Sequence, residues 1–129
     1  MRLTSLCISA AAAVALSVGA WAGAAWAHHS NAHFDQSAPI EVRGEVVEYQ
    51  LINPHAFIYL NVEDENGEVV EWALQTGGNV GRLIRANWSQ DSMVPGDIIT
   101  ATLAPMRDGT PGGLLVTVTL PNGTVLGAE

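Results

Sequence analysis

This chain of 129 residues has one cysteine and no lysine. The one cysteine is Cys7, close to the N-terminus, and all five basic residues are arginines. A chain with a single cysteine forms no internal disulfide, and without further thiolates any metal must be held by nitrogen and oxygen donors. The stability of the folded protein must therefore come from its own core.

Positive charge is also scarce, because 13 acidic side chains stand against five arginines and the formal net charge at pH 7 is -8 with the histidines neutral. Such a surface repels phosphate backbones and anionic lipids, and it raises the local concentration of cations. We therefore expect no nucleic-acid partner, and no membrane association once the N-terminal segment described next has been removed.

Residues 1–27 have the pattern of a secretory signal peptide. Arg2 supplies a positive charge, an apolar and alanine-rich stretch follows, and the small residues Ala25 and Ala27 occupy the positions that a signal peptidase recognises. A retained anchor helix is the alternative, but it needs about 20 strongly apolar residues, and glycine and serine dilute this stretch. The pattern predicts cleavage before His28, a mature chain of about 102 residues, and a periplasmic or secreted location in a bacterium.

Alternating apolar residues predict one β domain over residues 40–126, preceded by an N-terminal arm over residues 28–39 that either lies on the domain or is mobile. The first strand changes phase close to Gly44, which is typical of a long strand with a bulge. A short helix is expected after Asn79, which can act as its N-cap, as can Thr76. The predicted strands cover residues 40–51, 56–62, 70–74, 97–103 and 114–120, the helix covers residues 80–88, and a tail follows Asn122-Gly123.

This order of elements resembles the OB-fold, a five-stranded and partly open Greek-key barrel. We therefore predict a mainly β protein: a small five-stranded OB-like barrel with one short helix between strands 3 and 4. The competing fold is a small β-sandwich, which needs about seven short strands and has no place for the helix. OB barrels often bind oligonucleotides, but fold does not dictate function, and the acidic surface argues against that use.

Four histidines, His28, His29, His33 and His55, are the candidate metal ligands. A free amine at His28 would have an ordinary pKa of about 7.7 to 8.0, so a metal can displace its proton near neutral pH and be chelated by the amine and Nδ1 of the same residue. A second imidazole opposite this chelate gives three nitrogen donors, which suit Cu(II). We expect copper, with His55 as the distant ligand and His29 or His33 as the local one.

Other interpretations of the histidines stay open. Zinc is the alternative metal, since it can use three histidines with water or the carboxylate of Asp35 as fourth ligand, and nickel also accepts nitrogen donors. Asp35 has a second interpretation as the cap of a turn before Pro39. Histidines in a polar arm are often simply solvated, and His55 has a structural interpretation as a turn residue that hydrogen-bonds a carbonyl.

Recognisable catalytic motifs are missing from the sequence. The serines lack a Gly-x-Ser-x-Gly frame, and the glycines before Asn79 lack the lysine of a phosphate-binding loop. We therefore expect a non-catalytic domain that binds and delivers a metal ion, in exchange with an envelope protein. The alternative is a metal-free interaction module of the cell envelope that docks another protein or a small ligand, and an enzyme comes third.

Short motifs are spread over the chain: His28-His29-Ser30, Phe34-Asp35, Gly44, Asn53-Pro54-His55, Trp72, Leu83-x-Arg85-x-x-Trp88 and Pro95-Gly96-Asp97. Together they make the chain resemble a family of small exported bacterial proteins that is catalogued as a domain of unknown function. The resemblance spans nearly the whole mature chain. It implies a secreted β-rich domain without an established activity, in which His28, His29 and His55 are defining residues.

The chemistry expected of His28 is similar to that of periplasmic copper carriers and of copper-dependent polysaccharide monooxygenases, which also bind copper through an N-terminal histidine. Those proteins have immunoglobulin-like scaffolds, and this chain departs from them everywhere else. The similarity therefore implies a copper-ligand role for His28 and does not extend to oxidative activity.

Overall fold

The computed structural model describes residues 31–128 of the chain. The predicted signal peptide, its cleavage site and the candidate ligands His28 and His29 lie outside these described residues. Within residues 31–128, no helix is both long and apolar enough to cross a membrane.

The described part of the chain is mainly β, with six strands and one short helix. This confirms the prediction of a small β-barrel with a helix between strands 3 and 4. The elements in chain order are β1 (Ile40–Gln50), β2 (Phe57–Glu63), β3 (Val69–Thr76), α1 (Val80–Arg85), β4 (Ile98–Pro105), β5 (Gly112–Thr119) and β6 (Val125–Gly127).

Five of the strands close into a barrel. The hydrogen-bonded order is β3-β2-β1-β4-β5, with antiparallel neighbours, and a parallel pairing of β3 with β5 completes the cylinder. At this closure Ala73 pairs with Gly112 and Thr76 pairs with Leu115. Closing the sheet on itself removes the open strand edges that would otherwise invite aggregation.

β1 is long because it pairs with two different strands. Its first half pairs with β4 and its second half with β2, and Glu45 takes part in both pairings. The register to β2 shifts between Val46 and Glu48, so an irregularity of the kind expected near Gly44 is present at the change of phase. Such a bulge bends the strand and lets one segment serve two parts of a curved sheet.

Apolar side chains that alternate along the strands fill the interior, joined by Leu83 of α1. Burying one such side chain contributes about 1.5–3 kcal/mol to folding, so this set is the main source of stability in a chain without disulfides. The large side chains that are fully buried are Val46, Ile58, Leu60, Leu74, Leu83, Trp88, Ile99, Leu103, Leu115 and Val118.

α1 is shorter than its apolar spacing predicts, because it ends at Arg85 rather than near Trp88. Asn79 is the N-cap, and its Oδ1 accepts a hydrogen bond from the backbone N–H of Arg82 at 3.0 Å. Asn87 adopts a φ of 68°, a left-handed conformation that terminates the helix. Trp88 lies in the turn after the helix, and its side chain still packs into the core, as the apolar spacing predicts.

The sequence pattern predicts a tail after Asn122-Gly123, but the structure shows a sixth strand there. β6 pairs with β5, setting Leu126 opposite Val118. Leu126 and Ala128 are buried, and the Nε1 of Trp88 donates a hydrogen bond to the Gly127 carbonyl at 2.7 Å. The C-terminal segment is therefore part of the packed domain.

Candidate functional site

Residues 31–39 of the N-terminal arm lie on the barrel beside the end of β4. Phe34 forms an isolated β-bridge with Met106 and is only 7% exposed. The backbone N–H of Asp35 donates to the Pro105 carbonyl at 2.8 Å. A buried aromatic ring and backbone hydrogen bonds thus fix this part of the arm.

Arg107, in the turn after β4, contacts the arm in three ways. Its Nε donates to the Ala32 carbonyl at 3.2 Å, and its backbone N–H donates to the His33 carbonyl at 2.9 Å. Its guanidinium lies 3.6 Å from the carboxylate of Asp35. Because these contacts hold the backbone on both sides of His33, they limit where that histidine can lie.

Asp35 organises the local turn of the arm. Its Oδ1 accepts hydrogen bonds from the Ser37 hydroxyl at 2.6 Å and from the Ser37 backbone N–H at 3.2 Å. These bonds hold the pKa of the Asp35 carboxyl below its usual 3.8, and the Arg107 charge adds a smaller effect. The turn agrees with the interpretation of Asp35 as a cap before Pro39, since Oδ1 of its carboxylate takes all of these contacts.

His33 is exposed on the arm and lies near the carboxylate of Asp108. Hydrogen bonds donated by Thr110 hold the pKa of the Asp108 carboxyl below its usual value, and the charge of His33 lowers it further. Asp108 thus places one negative charge on the surface near His33.

His55 lies between β1 and β2, directly after the cis peptide bond that joins Asn53 and Pro54. Its side chain is half-buried, and its Nδ1 is buried without a hydrogen-bond partner among the described residues. A buried polar atom left unpaired costs about 1–3 kcal/mol. The interpretation of His55 as a turn residue predicts a carbonyl partner, and Nδ1 has none in residues 31–128.

The backbone that carries His55 is tied to the end of β3. The Ala56 N–H donates to the Thr76 hydroxyl at 3.0 Å, and the Thr76 N–H donates to the Ala56 carbonyl at 3.0 Å. On the other side, the Oδ1 of Asn53 accepts a hydrogen bond from the Val80 N–H at 3.2 Å. These bonds fix the turn, so the imidazole is presented from a rigid support.

A groove of about 260 Å³ lies between the arm and the barrel, alongside β4 and β5. Gln36 and Pro39 of the arm border it, as does Gly77, which follows the end of β3. The lining consists of Gln36, Pro39, Gly77, Thr102, Ala104, Leu114, Leu115 and Val116.

A second hollow, of about 350 Å³, lies where β1 separates from β2. Side chains of both charges line it, namely Arg43, Glu45 and Glu63. Among residues 31–128, neither of the two described histidines, His33 and His55, lines this hollow or the groove beside the arm.

Among residues 31–128, no three histidine, cysteine, aspartate or glutamate side chains form a group that could hold a metal ion. His33 and His55 thus need further ligands, and the predicted ones, His28 and His29, lie outside the described residues. The set of four histidines stays a prediction.

Sequence reasoning missed Arg107 and Asp108, which fix and flank His33. Their segment precedes Gly109 and was interpretable only as a turn. Arg107 and its partner Ala32 are 75 positions apart, so no local spacing links them. The one signal in the sequence is the scarcity of basic residues, since each arginine in an acidic chain is a natural partner for a carboxylate.

The fold and the site define a small acidic β-barrel with an N-terminal arm docked on it. The chain belongs to a family of unknown function, DUF6152, whose profile matches residues 14–116. This match confirms the resemblance to an uncharacterised family. No curated protein and no solved structure matches the chain.

Proposed function

We propose that the protein, after export and signal-peptide removal, binds a copper ion through the amine and imidazole of His28, the imidazole of His55, and His29 or His33 as local ligand. Its role is to bind the metal in the periplasm or outside the cell and to deliver it to an envelope partner, without catalysis. The observation that carries the proposal is the Nδ1 of His55, which is buried and unpaired within residues 31–128.

Nδ1 of His55 has the properties of a metal ligand. A neutral imidazole binds a metal through either ring nitrogen, while the other nitrogen carries the proton. Coordination would give the buried Nδ1 a partner and remove the cost of about 1–3 kcal/mol of leaving it unpaired. The hydrogen bonds between Ala56 and Thr76 fix the turn beforehand, which reduces the entropy lost when the site assembles.

The length of the arm supports joint use of the histidines. His28 precedes His33 by five residues, and an extended chain spans at most about 3.6 Å per residue, so the two lie within about 18 Å of each other. Arg107 holds the backbone of His33 on the barrel beside the end of β4. The short arm therefore keeps His28 and His29 near His33, as a shared site requires.

The charge of the protein supports a cation as its cargo. Acidic side chains outnumber basic ones 13 to five, and one of them, Asp108, lies near His33. A field of this sign raises the rate at which cations arrive, and added salt screens it over about 8–10 Å.

Copper fits these donors better than zinc. An amine that chelates with its own imidazole, opposite a second imidazole, forms the planar nitrogen set that Cu(II) prefers. Zinc prefers a closed tetrahedron, and the carboxylate of Asp35 that could complete it would have to bind the metal while Ser37 and Arg107 hold its Oδ1.

The amine is tested by titrating copper into the mature protein and into a variant with one glycine added before His28. We expect the extension to weaken binding more than about tenfold, since it removes a coordinating group, and a tenfold loss corresponds to about 1.4 kcal/mol. Equal affinities for the two forms would overturn the proposal.

His55 is tested by His55→Asn, with the electron paramagnetic resonance spectrum of Cu(II) as a direct count of coordinated nitrogens. We expect the spectrum to lose one nitrogen and the affinity to fall. His33→Asn then decides whether His33 or His29 is the local ligand. A His55→Asn protein with the affinity and spectrum of the unaltered protein would exclude His55 from the site.

A metal-free interaction module is the second candidate function, favoured by the uncharged lining of the groove beside the arm. In that function a partner would donate a hydrogen bond to the Nδ1 of His55. The extended variant separates the two functions, because an added glycine should leave docking unchanged and weaken copper binding.

A further inference from the structure

We propose that the groove between the arm and the barrel binds one small uncharged molecule with an apolar body and a single hydrogen-bonding group. This site goes beyond the proposed copper function, since neither of the described histidines, His33 and His55, lines it. It would operate with or without a metal ion on the protein.

The lining of the groove selects against ions. Although the chain has 13 acidic residues, none of the eight lining side chains found within residues 31–128 is ionisable. An ion that entered would lose hydration without gaining an oppositely charged partner among them. The polar groups available are the amide of Gln36 and the hydroxyl of Thr102, both of which can donate and accept a hydrogen bond.

The size of the groove selects a small molecule rather than a protein segment. Its volume of about 260 Å³ is slightly below the range of about 300–1,000 Å³ that is typical of sites for drug-sized ligands. An α-helix with side chains is about 10–12 Å across and is too wide for such a space. A single ring or a short branched chain is of the right size.

Gly77 keeps the groove open. A Cβ at this position would lie 3.8 Å from the Ala128 carbonyl oxygen and 3.9 Å from Leu114 Cδ1, which are ordinary contact distances. Gly77 is also not one of the described glycines with a positive φ. Neither steric crowding nor backbone conformation therefore requires glycine here, and a larger side chain would project into the space that we assign to the ligand.

The experiment uses three probes of nearly equal size that differ in charge: benzyl alcohol, benzoate and benzylamine, which is cationic near neutral pH. Each is titrated into the isotope-labelled protein in the presence of a chelator, and backbone amide shifts are recorded by NMR. We expect saturable shifts for benzyl alcohol at Gln36, Gly77 and Val116, and at least about tenfold weaker binding of both ions. The chelator makes this result independent of the copper proposal.

The matched variants are Gly77→Leu, which fills the groove, and Gly127→Leu, where a Cβ meets nothing within 4 Å. We expect Gly77→Leu to abolish the localised shifts and Gly127→Leu to retain them. Should Gly77→Leu fail to fold, the comparison of the three probes on the unaltered protein still decides the question.

Three results would overturn the proposal. The first is the absence of saturable shifts with benzyl alcohol, which leaves a partner side chain as the occupant. The second is equal or tighter binding of either ion. The third is a response spread over exposed apolar residues such as Val69 and Val125, or one that persists in a folded Gly77→Leu protein, since that indicates non-specific adsorption.

Discussion

Arg107 connects the turn after β4 to the backbone on both sides of His33, and its contacts differ in kind. The bond from its backbone N–H to the His33 carbonyl survives any substitution that keeps an N–H. The bond from Nε to Ala32 and the ion pair with Asp35 depend on the guanidinium. Substituting the side chain therefore loosens the arm without removing its backbone pairing.

Arg107→Gln should make the Asp35 backbone amide, which donates to Pro105, exchange with solvent several-fold faster, as measured by hydrogen exchange. The free energy of unfolding should fall by less than about 1 kcal/mol, because exposed ion pairs contribute little. Arg82→Gln, an exposed arginine on α1, is the control and should leave the exchange of Asp35 unchanged.

Lowering the pH should weaken the contact between the carboxylate of Asp35 and the guanidinium of Arg107. The folded-state pKa of the Asp35 carboxyl is below 3.8, so its contribution to stability is fully present above pH 3.8 and is lost as the pH falls through the lower folded value.

Protection of the Asp35 amide that is identical in the Arg107→Gln and unaltered proteins at neutral pH would show that the guanidinium does not hold the arm.

Residue chemistry identifies the candidate histidines but not the residues that hold them in place. An imidazole beside a future N-terminus, or after proline in a turn, is recognisable because its donor atoms do not depend on the fold. Arg107 gains its role only when the arm lies against β4, and the unpaired state of Nδ1 in His55 depends on what packs around it. Both are tertiary facts that local sequence does not contain.

At the element scale, close contact between strands explains why the second residue of β5, Gly113, is a glycine. A Cβ on Gly113 would overlap the Ala104 carbonyl oxygen and approach Leu103 Cδ1 to 2.5 Å. Both contacted residues belong to β4, so the pairing of β4 with β5 requires that this position lack a side chain.

Gly113→Ala should destabilise the protein by about 1–3 kcal/mol or more, since an added methyl group forces the two strands apart. Gly127→Ala is the matched control, because it places the same methyl group where nothing lies within 4 Å, and it should change stability by less than about 0.5 kcal/mol. Urea denaturation measures both, and equal midpoints for the two variants would contradict the steric argument.

Alternation of apolar residues predicts the five barrel strands, because each of them buries side chains at every second position, and the helical spacing that includes Leu83 predicts the helix. The pattern does not predict β6, because this strand has only three residues and one buried side chain, Leu126. The helix boundary is misplaced for a related reason: Trp88 is in helical phase but belongs to the turn created by Asn87. A pattern reports which residues are buried, and it does not report the backbone path between them.

On the scale of the whole molecule, β6 joins the barrel to the segment after α1. It covers the end of β5, buries Leu126 and Ala128, and accepts the hydrogen bond from Trp88. A domain of this size has a total stability of about 5–15 kcal/mol, so the loss of one short strand is a large fraction of the total.

Removal of residues 125–129 should lower the free energy of unfolding by about 2–5 kcal/mol, the range for deleting a large buried side chain, with a further contribution from the unpaired Nε1 of Trp88. Thermal and urea denaturation measure the loss. Val125→Thr, at a position 60% exposed, is the control and should have little effect. A truncated protein as stable as the full chain would show that β6 is dispensable.

The parallel pairing of β3 with β5 has a consequence for the order of folding. It joins residues 73–76 to residues 112–115, so its formation closes a far longer loop than the hairpin pairing of β2 with β3 and carries a larger entropic cost. Thr76 takes part in both pairings, since it also bonds to Ala56 of the neighbouring segment. Chains in which β3 and β5 are not yet paired therefore lack the β5 wall of the groove, and we expect the β3–β5 junction to form late in folding.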